Sequence, residues 1–157
     1  MAGKVVIVDY GVGNLFNIQR AFSSLSVDAE ISNKEAFDKA WRIAFKEKDF
    51  SLVDEIYHPD YKAVDVITGV EVNLEDDKAQ ILAFGEEIIV GPYETLFESE
   101  DFLKIQNCSR FRNQEIFSSA TTSITYKEGK IITQESVMEE LDYDPSEGQD
   151  WNWEDYE

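Results

Sequence analysis

The sequence predicts an α+β domain in which a curved, cone-shaped antiparallel sheet wraps around one long N-terminal helix and two shorter ones, with an extra strand–helix appendage ahead of it. Three observations carry this reading. Apolar residues recur at helical spacing through Phe37, Ala40, Trp41, Ala44 and Phe45. A second short helical stretch breaks at His58-Pro59-Asp60 and gives way to the alternating, β-branched YKAVDVI. Beyond Gly91-Pro92 come four long strand candidates joined by short turns, the order of serial hairpins.

At the N-terminus, Lys4-Val5-Val6-Ile7-Val8 reads as a buried strand and Gly11-Val12-Gly13-Asn14 as a tight turn. Leu15, Ile18, Ala21, Phe22 and Leu25 then repeat at helical spacing, and VDAEIS reads as another short strand. A strand–turn–helix–strand unit normally opens a parallel α/β sheet. A dinucleotide fingerprint would want a third glycine at position 16, where Phe16 stands. Residues 1–32 cannot bury a parallel sheet alone, so Val5–Val8 is expected on a sheet edge, or Leu15–Leu25 on a partner chain.

The long helix follows, and its Lys48-Asp49-Phe50 turn leads into a shorter one that Asp49 or Ser51 can cap. Leu52, Val53, Ile56 and Tyr57 make a second apolar stripe before Pro59 ends the helix. Tyr61, Ala63 and Asp65 share one strand face, and an acid in line with two core-facing residues is a candidate for chemistry. After Val70, Asn73 can cap a third helix, with Asp76 and Asp77 favourably placed in its first turn. Leu74, Lys78, Ile81, Leu82 and Gly85 mark one side of it; Phe84, Ile88 and Ile89 add apolar surface, and Gly91-Pro92 stops it. The strands YETLFES, FLKIQNCSRF and EIFSSATTSITY follow, and a Lys127-Glu128-Gly129-Lys130 turn leads into IITQESVMEEL. Residues 142–157 form an acidic tail carrying Trp151, Trp153 and Tyr156. Its composition favours disorder, whereas three aromatics in six residues favour anchoring on an apolar surface, and both readings stay open.

A chain of 157 residues with 43% hydrophobic residues and twenty aromatics suits one well-packed domain. Its net charge of −19 argues against nucleic-acid or anionic-membrane partners, both of which are polyanions. No Lys or Arg follows Lys130, so the acidity concentrates toward the end. The single cysteine, Cys108, excludes an intramolecular disulfide framework and a multi-cysteine metal site, and reads as a small residue of a strand. Glu75-Asp76-Asp77 lacks the alternation and glycine of a calcium loop, so neither metal nor cofactor is expected. No apolar run approaches the ~20 residues that span a bilayer, and MAGKVVIV is too short for a signal-peptide core. The expectation is a cytoplasmic protein.

The run AWRIAFKEKDFSLVDEIYHPDYKAVD, a helix, a turn, a helix and then HPD into a strand, resembles the nuclear transport factor 2-like superfamily. This is the cone fold of SnoaL-like polyketide cyclases and ketosteroid isomerases, and the resemblance runs from about Asn33 to Leu141. It implies an apolar pocket between sheet and long helix, lined by Trp41, Phe45, Tyr57, Tyr61 and Asp65. It puts Asp65 where the isomerases carry a general base, Trp41 where they carry an oxyanion-hole tyrosine, and Thr122 near their protonated acid. Trp and Thr can each donate one hydrogen bond, so two neutral donors would face one carboxylate. His58, ahead of Pro59 at a helix end, is a capping residue with a lesser claim to catalysis. A homodimer is implied as well.

The run KVVIVDYGVGNLFNIQRAF resembles the start of the glutamine amidotransferase subunit of imidazole glycerol phosphate synthase, over residues 4–32. That chemistry needs a nucleophilic cysteine in a Gly-x-Cys-x-Gly elbow and a downstream histidine. Cys108 stands between Asn107 and Ser109, and His58 is the only histidine, so glutaminase activity is excluded and a truncated fragment joined to an unrelated domain is expected. Two functions fit the remainder. One is an isomerase, cyclase or hydratase acting on a small apolar carbonyl compound with Asp65 as base. The other is a non-catalytic ligand-binding or dimeric assembly module, favoured by the Trp and Thr at positions 41 and 122.

Overall fold

A computed structural model of the chain describes residues 5–7, 29–64 and 68–157. Strands β1 (Val5–Ile7) and β2 (Ala29–Ile31) pair in parallel, in a two-stranded sheet of their own. The pairing partner of β1 is therefore β2, and not an edge of the main sheet. The turn and helix expected between them, and with these the greater part of the amidotransferase resemblance, lie outside the described residues.

Helices α1 (Asn33–Glu47) and α2 (Ser51–Ile56) lead into β3 (Tyr57–Val64), β4 (Glu71–Val72) and α3 (Leu74–Phe84). Strands β5 (Ile88–Glu98), β6 (Phe102–Phe111), β7 (Phe117–Lys127) and β8 (Lys130–Leu141) follow, and a short 3₁₀ turn spans Trp153–Tyr156. The main sheet has six strands in the order β4-β3-β8-β7-β6-β5. It is open, curved and mixed, because β3 runs parallel to β8 while every other pair is antiparallel.

Ser32 caps α1, its hydroxyl accepting the Glu35 amide at 3.2 Å. The helix buries Phe37, Ala40, Trp41 and Ala44, the stripe its spacing predicts, against Val53 and the sheet residues Leu103, Ile105, Ile124 and Ile131. Each of those aliphatic side chains is fully buried, worth roughly 1.5–3 kcal/mol apiece. In the first half of β6 burial alternates, with Leu103 and Ile105 entering this core, and farther along Cys108 belongs to a second cluster. The β7–β8 hairpin turns through Glu128 and Gly129, both at positive φ, the twist that suits a two-residue connection.

Several local expectations are corrected. Tyr57 begins β3 and does not end α2, and Pro59 sits within that strand, where the register against β8 shifts between Tyr57 and Lys62. Proline lacks the N–H that a regular ladder requires, and an irregular stretch tolerates it. Likewise Ile88 and Ile89 belong to β5, and Gly91-Pro92 lies inside that edge strand, at a second register shift. The N-cap of α2 is Phe50, without a side-chain cap; Asp49 instead accepts the Ser51 amide. Leu82 and Phe84 are exposed rather than packed.

The acidic tail docks on this same chain. Trp153 is only 4% exposed, stacks on Phe117 and donates its indole N–H to Asp144 Oδ1 at 2.9 Å. With Ile89, Phe117, Leu141, Cys108, Trp151 and Tyr156 it builds the second apolar cluster. Gly91 permits this approach: a Cβ there would stand 3.1 Å from the Cys108 carbonyl oxygen and 3.3 Å from the Trp151 ring.

Candidate active site

Between α1, α3 and the sheet lies a cavity of about 170 Å³. Phe37, Trp41, Phe45, Ile81 and Tyr93 give it apolar walls, and Asp77, Gln80, Asn107, Thr122 and Gln134 give it polar ones. Phe37 and Trp41 come from the buried stripe of α1, half-buried Phe45 stands beside it, and Asn107 and Thr122 continue the inward alternation of β6 and β7. Asp77 is delivered by α3, whose start is fixed by a reciprocal capping box between Asn73 and Asp76.

Two hydrogen-bonded relays reach this cavity from the tyrosines of β3. The Trp41 indole N–H donates to Tyr57 Oη at 3.0 Å, and the Tyr57 hydroxyl donates to Gln134 Oε1 at 2.7 Å. The Tyr61 hydroxyl donates to Asp77 Oδ2 at 3.3 Å. The two phenol rings meet edge to face with centroids 4.7 Å apart. Burial holds the Tyr57 hydroxyl well above its ordinary pKa, and burial together with the Asp77 charge raises Tyr61, so both remain neutral donors. Asp77 is pushed from 3.8 up to about 6: burial raises it most, Tyr61's hydrogen bond draws it back, and neighbouring Asp76 adds to the rise.

Of the residues the sequence singles out, Trp41, Phe45 and Thr122 line this cavity. Thr122 is buried and shares a hydrogen bond with Ser136 at 2.9 Å. Tyr57 and Tyr61 are buried and touch the lining through their hydroxyls. His58 lies elsewhere: its Nδ1 accepts the Asp60 amide at 3.0 Å, and its Nε2 is 3.4 Å from Glu128, at the β7–β8 turn. Asp65 lies outside the described residues. Two cations that could have paired with it have other partners, Lys62 with Glu71 at 2.8 Å and Arg42 with Asp38 at 2.9 Å.

The carboxyl group that the described residues bring into the cavity is Asp77, read from the sequence only as a helix-start acid. A signal was present, since Leu74, Asp77 and Ile81 fall at i, i+3 and i+7. An acid on that stripe faces where its apolar neighbours face. Among the described residues no group of three or more His, Cys, Asp or Glu could hold a metal ion. No described helix is long and apolar enough to cross a membrane.

No protein-family profile and no curated protein matches this chain. Solved structures do. An NTF2-like protein from Anabaena variabilis superposes with a TM-score of 0.53 at 12% identity, covering 66% of this chain and 84% of that one. IdmH from Streptomyces antibioticus, a candidate polyketide cyclase, gives 0.53 at 10% identity, covering 68% and 92%. TerC, co-crystallised with polyporic acid, gives 0.53 at 19% identity, covering 67% and 89%. Identities this low establish a common architecture, not a common reaction.

Proposed function

On the premise that this chain has the nuclear transport factor 2-like fold, of the SnoaL-like and ketosteroid isomerase-like kind, we propose that it is an acid–base catalyst for a small carbonyl compound. The observation carrying this reading is the Asp77 carboxyl in the cavity, with a pKa of about 6. At neutral pH such a group is largely ionised, yet basic enough to take a proton from carbon beside a carbonyl. It can then return that proton to another atom of the same enolate, the balance an isomerase or cyclase needs. Tyr61 would orient the carboxylate through its hydrogen bond, while Thr122, Asn107 and Gln80 supply groups that can meet the carbonyl oxygen. A polyketide cyclase description for IdmH and the polyporic acid co-crystallised with TerC support a small organic compound of that kind as the substrate class.

Asp65 stays in this reading as the second candidate base, and one experiment separates the two acids. Exchange of α-protons of 2-tetralone into D₂O, followed by NMR with and without the protein, reports proton abstraction directly. The expected result is accelerated exchange, lost at least a hundredfold in Asp77→Asn and retained in Asp65→Asn. The reverse pattern would move the base to Asp65, and no acceleration by the wild type would remove the catalytic reading.

The non-catalytic module has one observation in its favour: Gln134 and Thr122 already spend hydrogen bonds on Tyr57 and Ser136. A homodimer belongs to the proposal under either reading. Leu96, Phe97, Val137 and Met138 offer exposed apolar surface for it.

A further inference from the structure

Beside the small cavity lies a larger one of about 560 Å³, and the two share a wall, since Phe45 and Tyr93 line both. About 170 Å³ is below the few hundred Å³ of an ordinary small-molecule site, whereas about 560 Å³ falls within that range. The larger cavity has apolar walls in Phe45, Ile88, Val90 and Tyr93, and it sets Arg42, Lys46 and Arg112 against Glu86 and Glu157 in a chain of net charge −19.

These cations are not equivalent. Arg42 is committed to the fold: it donates to Asp38 at 2.9 Å and to the carbonyl oxygens of Val90 and Gly91 at 3.2 and 3.3 Å, beneath the Tyr156 ring. Lys46 is exposed and makes no ion pair among the described residues. Arg112 turns Nε to the Glu86 carbonyl oxygen at 3.1 Å, which fixes its plane. Its Nη1 lies 3.8 Å from the Glu157 carboxylate, an ion pair too long to be a hydrogen bond, with a partner half open to water. A guanidinium so oriented, facing only a loosely held carboxylate, suits a two-pronged bond to a carboxylate from outside.

We propose that the two cavities hold one molecule, an aromatic carbonyl compound that bears a carboxylate. The carboxylate sits on Arg112 and Lys46, the ring system lies along Phe45 and Tyr93, and the carbonyl end enters the small cavity. Glu157 occupies the anion position until the ligand displaces it. This inference deepens the catalytic reading above and rests on it for the choice of reacting end.

Titration of the full chain with 2-naphthoate and with 2-naphthamide, followed calorimetrically at low salt, tests the charge requirement without involving Asp77 chemistry. Naphthoate is expected to bind at least tenfold more tightly than the amide, with the advantage shrinking in 0.5 M salt. The double variant Lys46→Gln/Arg112→Gln should abolish that advantage while leaving amide affinity unchanged, which also reports an intact fold. Glu157→Gln should strengthen naphthoate binding two- to threefold. Equal affinity for the two probes, a preference that survives the double substitution, or no binding of either probe would overturn the proposal. If the preference holds but 2-tetralone exchange fails, only the catalytic reading falls; exchange without the preference removes only this one.

Discussion

Asp77→Asn should make the protein more stable at neutral pH, by an amount that grows as the pH rises. The native state holds the Asp77 proton with a pKa of about 6 against an ordinary 3.8, so folding favours the acid form. The stability this confers is complete below pH 3.8 and is lost as the pH climbs through about 6. A rise of that size corresponds to roughly 3 kcal/mol at full strength. The carboxyl group is partly open to water, and solvent screening reduces the figure to about 1.5 kcal/mol. About half of it, roughly 0.7 kcal/mol, develops between pH 5 and pH 7.5. Asparagine keeps an oxygen to accept the Tyr61 hydroxyl and never ionises, so the variant escapes the loss. Urea unfolding of both proteins across this window gives the stability difference directly, and subtracting the two curves removes the pH response of the other acidic groups. A difference that stays flat with pH, or that shrinks toward pH 7.5, would show that Asp77 is an ordinary solvated acid and would withdraw it as a base.

Two further outcomes follow from the fold. Trp153→Ala should cost about 3–5 kcal/mol in urea unfolding, because it removes a buried ring stacked on Phe117 and a hydrogen bond to Asp144; a loss under about 1 kcal/mol would make the tail's docking incidental. Light scattering should give twice the 18.0 kDa chain mass, falling to one chain in Met138→Glu or Phe97→Glu, whereas a monomeric wild type would end the dimer proposal.

What was legible in the sequence was whatever had a period. The α1 stripe, the alternation of Tyr61 and Ala63, the Asn73 cap and the Glu128-Gly129 turn each rest on local geometry, and each occurs as read. The prolines misled. Pro59 and Pro92 have the local signature of element boundaries, yet each sits within a strand, at a place where the ladder is already irregular. Periodicity cannot reveal an irregularity created by a partner strand distant in sequence. The parallel pairing of β3 with β8 was hidden for the same reason. The cavity is half legible: the sequence points to Trp41, Phe45 and Thr122, and it gives no such pointer to Asp77, Asn107, Gln80 or Gln134. Asp77 escaped because a first-turn acid already has a sufficient explanation in the helix dipole, and only its place on the Leu74–Ile81 stripe pointed inward.

The parallel junction has a kinetic consequence. Strands β5 to β8 are neighbours in sequence as in space, so each can zip onto the last through a short connection. β3 meets β8 through pairs 71 to 74 residues apart, from Tyr57 with Ile131 to Ala63 with Gln134, so this junction carries a high entropy of loop closure. Tyr57 and Tyr61 lie on one bank of it and Ile131 on the other, so the main core stays incomplete until β3 and β8 have met.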